Sequence, residues 1–294
     1  MVRLSSDTAA LRAVRNGRDV TMVGYTLQSR TLLHALEDAA RRGARVRVRL
    51  DGAPYGDPDG SFANYNRRLV SDLRAAGADA AVTREPPDAP LHAKALAVDD
   101  TLYLDDRNWA SGDLILRDGD PCDAAAIRAI AGGRPASVRP GFALQKREAL
   151  QLEARMLDSA RAGDSVTVET ETFGSSNSVC RALDDIAKRG VRPHLLVQRR
   201  PAATNVREQR VLERLAADGV EIRMTSDSEK FATCAGAAWI GSANASPAFG
   251  QPDLIDWGTC TRNRAVVNAV ETRLAERWNQ ARPFAPKAPA KNVG

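Results

Sequence analysis

Aromatic residues make up only 5% of the 294-residue chain, and histidine occurs three times. The four cysteines, Cys122, Cys180, Cys234 and Cys260, stand far apart, and no two have C-x-x-C spacing. That argues against a structural zinc site and for free, mostly buried thiols. No apolar run reaches the roughly 20 residues that a membrane-spanning helix needs. The N-terminal stretch MVRLSSDTAALRAVRNG lacks the apolar core of a secretion signal. A soluble, cytoplasmic protein is the expectation. Hydrophobic residues reach 43%, enough for a sizeable core, and the chain is rich in Ala and Arg. The net charge of +5 is a mild bias toward polyanionic partners.

The chain repeats itself. Residues 34–50 read HALEDAARRGARVRVRL, and residues 181–197 read RALDDIAKRGVRPHLLV. Each reads as an amphipathic helix with a basic end, a glycine (Gly43, Gly190) at the C-cap, and a strand. An apolar strand precedes each unit, over 20–25 and 166–170. A further helix and strand follow, over 69–82 and 211–224. Alternating strands and helices predict an α/β fold, and two such halves predict a pseudo-twofold molecule. The expected divisions are an N-terminal half, 1–118, a linker, 119–140, with one short helix at 123–131, a C-terminal half, 141–282, and a flexible tail, 283–294. Long helices are expected over 142–162 and 264–278.

The chemistry gathers in residues 91–99, Leu-His-Ala-Lys-Ala-Leu-Ala-Val-Asp. On a strand, His92 and Lys94 leave the same face, and Asp99 follows five residues after the lysine. The imidazole can act as nucleophile or base, and the ammonium can hold negative charge beside it. That pairing suits chemistry on phosphate. A turn and a second strand then lead to Asp105-Asp106-Arg107-Asn108-Trp109. The second half carries Ser228, Lys230 and Ala235, then Gly241-Ser242-Ala243-Asn244. The offset is constant: 228 minus 92, 230 minus 94 and 244 minus 108 are each 136.

The pattern His-x-Lys-x-x-x-x-Asp, a second strand, then Gly-Ser-x-Asn resembles the signature of the phospholipase D superfamily. The resemblance implies two similar phospholipase D-like halves, each a mixed sheet flanked by helices, with the active site at their seam. It implies that His92 attacks a phosphodiester phosphorus and forms a covalent phosphohistidine. Lys94 and Lys230 would flank the phosphoryl oxygens, and Asn108, Asn244 and Ser242 would add neutral donors. No metal or other cofactor is implied, since the lysines supply the positive charge. The family usually also has a carboxylate that holds the histidine ring. Asp113 is expected beside His92, with Asp256 as its counterpart in the second half.

The departures matter. The first half has Asp105 and Asp106 where Gly and Ser are usual. The second half has Ser228 for His and Ala235 for Asp. A second imidazole would protonate the leaving oxygen, which a serine hydroxyl cannot do near neutral pH. General acid catalysis contributes about 10²–10⁴-fold. Glu229, Glu169 and Glu171 are substitutes by position alone. Three readings follow: a one-histidine phosphodiesterase, a homodimer in which two His92 motifs meet, and a phosphate-binding protein without turnover. The first is taken here, for a monomer or homodimer. The charge and the lack of a membrane-binding run tilt the substrate toward nucleic acid. A phospholipid ester, hydrolysed or transferred, comes second, and a non-catalytic DNA-binding module is the alternative of a different class.

Other features carry less. His34 and His194 lie outside the motifs and read as structural. Arg41, Arg42, Arg45, Arg47, Arg49, Arg199 and Arg200 either line a groove for a polyanion or, by preference, form surface charge. Trp109 and Trp239 flank the asparagine loops and are placed to stack on a base, although core packing suits Trp239 better. Residues 173–178 read as a turn that caps the next helix.

Overall fold

The β3 strand (Arg45–Leu50) shows how local pattern sets this fold. Its sequence RVRVRL alternates, so Val46, Val48 and Leu50 enter the core while the three arginines face outward. The preceding helix α2 (Arg30–Arg41) is capped by Ser29, whose side chain accepts from Leu32 N. Gly43 ends it at φ +86°, and Gly190 holds the same place in the second half at φ +82°. A residue with a Cβ is strained at such angles.

The structure is a computed structural model that describes residues 2–54, 57–83, 90–199, 205–246 and 253–285. The first half also contains β1 (Val2–Leu4), α1 (Asp7–Asn16), β2 (Asp19–Gly24), α3 (Ser61–Ala75), β4 (Asp79–Val82), β5 (Lys94–Val98), β6 (Thr101–Asp105) and β7 (Ile115–Asp118). Helix α4 (Pro121–Ala131) leads to the second half: β8 (Phe142–Ala143), α5 (Lys146–Asp158), β9 (Val166–Thr170), α6 (Ser178–Lys188), β10 (His194–Gln198), α7 (Val206–Ala217), β11 (Glu221–Thr225), β12 (Phe231–Cys234), β13 (Ala237–Gly241), β14 (Gly258–Thr261), α8 (Arg264–Gln280) and β15 (Arg282–Pro283).

The fold is mixed α/β, with two sheets flanked by helices. Their strand orders are β1-β7-β6-β5-β2-β3-β4 and β15-β11-β10-β9-β12-β13-β14-β8. Read in opposite directions the orders match strand for strand, and β15 is the one addition. In each half three strands run parallel, β2-β3-β4 and β9-β10-β11, and the rest are antiparallel. The halves share a core. Leu91, Ala95 and Leu104 of the first pack in one apolar cluster with Phe231, Ile240 and Trp257 of the second. Trp257 Nε1 also donates across the seam to the Asp105 carbonyl at 3.0 Å.

Several expectations are corrected. Residues 142–162 are not one helix. Phe142 and Ala143 pair with β14 as an edge strand, and α5 begins only at Lys146. The 119–140 segment holds the 11-residue helix α4, which packs on β2, β5 and β6. Arg282 and Pro283 pair with β11, and the rest of the expected tail from 286 lies outside the described residues. Trp109 is as inaccessible as Trp239, at 4% and 1% exposure, so neither ring is open to a base or lipid. The outward arginines are paired: Arg45 with Asp19, Arg47 and Arg49 with Asp79, and Arg41 with Glu37 and Asp38. Arg200 lies outside the described residues. Asn177 caps α6 by accepting from Cys180 N. All four cysteines are free, with Cys180 and Cys234 buried.

Asn66 of α3 ties the ends of β2 and β3 together. It is fully buried, its Nδ2 donates to the Tyr25 and Asp51 carbonyls at 2.8 Å each, and Thr26 Oγ1 donates to its Oδ1. Asn66→Ala strands these buried groups and lowers stability by about 2–3 kcal/mol, readable as a lower urea midpoint at unchanged slope.

Candidate active site

Strand β5 starts at Lys94, not at His92. The two residues before it leave the first sheet and join the second half: His92 N and Ala93 N both donate to the Ile255 carbonyl, at 2.9 and 2.6 Å. Asp51 Oδ2 accepts from Leu91 N at 2.8 Å and fixes the approach. These bonds bring His92 against Asp256. His92 Nδ1 lies 2.7 Å from Asp256 Oδ1, and the Ser242 hydroxyl donates to the same oxygen at 2.7 Å. Trp257 N in turn donates to Ser242 Oγ. Asp256 and Ser242 are fully buried, while the His92 side chain stays 19% exposed.

This geometry sets the tautomer. A carboxylate at Nδ1 requires the proton there, which leaves the lone pair on Nε2. Lys94 Nζ lies 3.1 Å from that nitrogen and donates to the His92 carbonyl at 2.6 Å. Burial, and then the Lys94 ammonium, lower the His92 pKa against the pull of Asp256, so the ring stays neutral. Burial works to raise the Asp256 pKa, but His92 and Lys94 outweigh it and hold the group ionised. Lys94 is itself pushed down to about 7 by burial and by the facing ammonium of Lys230. Lys230 is also buried and donates to the Ser228 carbonyl at 2.7 Å. Two buried lysines from opposite halves thus repel each other beside a basic imidazole nitrogen. An anion between them would relieve their repulsion. Among the described residues, no group of three or more His, Cys, Asp or Glu side chains is placed to hold a metal ion.

The sheet registers define which residues are mates. Asp105 pairs with Ile115 and Gly241 with Gly258, so Asp113 and Asp256, each two residues earlier, correspond. The carboxylate at His92 therefore comes from the opposite half, and the expected pairing of Asp113 with His92 is corrected. Asp113 faces the Ser228 side, and its partner there is Arg107 at 2.5 Å. Arg107 also bridges to Asp227 at 3.1 Å and Glu229 at 3.4 Å. An arginine from the first half has thus taken the carboxylate that a second histidine would use. Arg273 and Arg277 complete this network on Glu229, Asp227 and Glu169.

Other residues also sit differently from expectation. Asp99 lies at the far end of β5, about 16 Å of extended chain from Lys94. It occupies a turn at φ +48°, and its carboxylate accepts from Arg18 N and Asp19 N. Its work is to tie the β5–β6 turn to the start of β2, and Ala235 makes the same turn at φ +47° without that carboxylate. Ser242 spends its hydroxyl on Asp256, so it supports the histidine and is not a phosphate donor. Asn244 Nδ2 reaches Glu171 Oε2 at 3.5 Å. Asn108 stands at the mate position, and its carbonyl accepts from Gln28 N. Asp106 is fully buried with both carboxyl oxygens unpaired, and burial together with Glu229 pushes it up to about 7. His34 is beside Glu37, and His194 stacks on Trp278 with ring centroids 4.0 Å apart, both outside the site.

Three nearby groups escaped the motif analysis. Tyr25 packs edge-on against His92 at 5.2 Å between centroids and lies 5.7 Å from Lys94 Nζ. Lys146, at the start of α5, is buried, donates to Ser246 Oγ at 3.2 Å and is drawn to Asp256. Arg107 sits inside the motif loop but gave no signal of its own. Tyr25 was open to detection, because it directly follows β2, as Glu171 directly follows the matching strand β9.

Residues 154–254 match the family model described as "Cardiolipin synthase, PLD-like domain". That segment is phospholipase D-like. The match lies in the second half, where Ser228 and Ala235 replace the motif's His and Asp. Phosphatidylserine synthase from Haemophilus influenzae Rd KW20 superposes with a TM-score of 0.66 at 10% identity, over 96% of this chain and 87% of that one. Polyphosphate kinase from Porphyromonas gingivalis gives 0.64 at 14% identity, over 92% of this chain. This chain covers only 44% of that kinase's length. Nuc, a phospholipase D family member from Salmonella typhimurium, aligns with 50% of this chain and 97% of its own at 21% identity and a TM-score of 0.42. A search of curated proteins finds no match.

Two outcomes follow from the charges. Removing Arg107 as Arg107→Ala leaves Asp113, Asp227 and Glu229 short of a cation and costs about 3–5 kcal/mol, measured by denaturant unfolding. Lys94 titrates near 7 when folded and at about 10.4 when unfolded. Between those values the unfolded chain binds the extra proton, so stability rises with pH across that window. In Lys94→Met that rise is diminished, as read from unfolding midpoints at a series of pH values.

Proposed function

We propose that the protein cleaves or transfers phosphodiesters through a covalent phosphohistidine at His92. One observation carries this reading: a neutral imidazole is held at Nδ1 by Asp256, with its free Nε2 beside Lys94 and within the field of Lys230. The lone pair on Nε2 attacks phosphorus. The two ammonium groups take the charge that builds on the phosphoryl oxygens. Asp256 stabilises the positive charge that the ring acquires on attack. Water, or an acceptor alcohol, then displaces the histidine. The site is completed by the chain's own second half, so a monomer suffices, and the reading takes the protein as cytoplasmic. Among the described residues, no helix is long and apolar enough to cross a membrane.

Nucleic acid is the first substrate reading, on the net charge of +5. Pairing of the β3 arginines with acids removes one support that a wide polyanion groove would have had. A phospholipid ester is the second reading. It is favoured by the exposed Phe62 and Val206, in the first turns of the two helices that follow β3 and β10.

The test is hydrolysis of bis(p-nitrophenyl) phosphate in EDTA. Turnover is expected, with a loss of at least about 10³-fold in His92→Ala and an acid-labile phosphoprotein trapped in the unmutated chain. Turnover unchanged by His92→Ala would sink the mechanism. Absence of turnover on any diester, with tight DNA binding, would favour the non-catalytic module. Single-stranded DNA and phosphatidylcholine vesicles, compared as substrates, decide between the two classes.

A further inference from the structure

The phosphohistidine mechanism lacks a proton donor for the leaving oxygen, because Ser228 stands where a second imidazole would be. Most acids near that place are committed. Glu229 is fully buried among Arg107, Arg273 and Arg277, and Glu169 is buried on Arg277. Asp227 is held by Arg107 and Arg277, and Asp113 by Arg107. Asp106 has no exposed surface.

Glu171 differs. Gly24 pairs with Lys94, and Glu169 pairs with Phe231, which sets Thr170 opposite Lys230. Glu171 is therefore the mate of Tyr25, the residue whose ring packs against His92. By the same symmetry Glu171 stands beside the place that a second imidazole would fill. Its side chain is 37% exposed, lies 3.6 Å from Lys230 Nζ, and accepts from Asn244 Nδ2 at 3.5 Å. It rests on the donors that the mechanism assigns to the phosphoryl group, across the site from His92.

We propose that Glu171 is the catalytic acid and base that replaces the missing histidine, an assignment that rests on the phosphodiesterase reading. In the free protein burial raises its pKa, but the Lys230 and Lys94 ammonium groups outweigh burial and keep it ionised. Tyr25 and Glu208 are the other titratable groups coupled to it. A bound diester takes up the charge of the lysines and adds a negative charge of its own, so Glu171 gains a proton as substrate enters. As the bond from Nε2 to phosphorus forms and the bond to the leaving oxygen breaks, the Glu171 carboxyl gives that oxygen its proton. The resulting carboxylate then takes a proton from water, the hydroxide attacks phosphorus, and the electron pair of the broken N–P bond returns to Nε2. Diester and water become monoester and alcohol, and Glu171 ends protonated as it began.

The test compares Glu171→Gln with the unmutated chain in single-turnover release of alkyl and p-nitrophenyl leaving groups from diesters. The expected loss on the alkyl ester exceeds that on the p-nitrophenyl ester by about 10²-fold or more. The dependence of rate on leaving-group pKa should also steepen in the variant, a change that a packing defect would not cause. Equal losses on both esters, or no loss on either, overturn the assignment. Circular dichroism and thermal unfolding check that the variant is folded. If the unmutated chain turns over no diester, the phosphodiesterase reading fails and takes this proposal with it. If it turns over both and Glu171→Gln shows no leaving-group selectivity, the assignment of Glu171 alone fails.

Discussion

The contact of Asp256 with His92 is the interaction on which the rest of the site depends. It crosses from one half of the molecule to the other. It places the proton on Nδ1, leaves Nε2 basic, and balances the two buried lysines. Neither half has it alone. The shared apolar core, the bond from Trp257 to Asp105 and the bonds from His92 and Ala93 to Ile255 hold the seam at the spacing this contact requires. A slip of one residue in β14 would turn Asp256 away from His92, because successive strand residues face opposite sides.

The two halves have diverged around a common plan. On the His92 side, a buried serine and a buried carboxylate brace an imidazole. On the Ser228 side the corresponding carboxylate, Asp113, binds Arg107. The network continues through Asp227, Glu229 and Glu169 to Arg273 and Arg277 on α8. Without Arg107, Asp113 would be a buried carboxylate short of a cation, at a cost of several kcal/mol. The arginine offsets that cost, so the Ser228 side is an ion-pair cluster. Glycine at 241 has a separate cause: a Cβ there would lie 2.6 Å from the Trp239 ring and 2.7 Å from the Trp257 carbonyl.

The lysines are placed at a cost to stability. A buried ammonium facing another of its kind is costly, and Lys94 is held near 7 as a result. Such sites are stabilised when an anion arrives, and the strain is then converted into binding. The tilt of this site toward anions is thus built into the placement of the two lysines.

The sequence by itself determined the α/β plan, the two halves and the His92, Lys94 and Lys230 frame. These are set by local patterns: alternation in β3, caps at Gly43 and Gly190, and a constant offset between motifs. It misplaced what depends on contact between distant segments. Asp99 looked like part of a triad, yet the strand carries it to the far end of the sheet. Asp113 looked like the partner of His92 because the resemblance implies a carboxylate after the asparagine of the same half. Only the tertiary structure decided that Asp256 takes that place, that Arg107 holds Asp113, and that Tyr25 and Glu171 are mates across the site. The physical reason is that a seam between two sheets joins residues by register and packing, over more than a hundred residues of chain, and no local spacing encodes which side chains meet there.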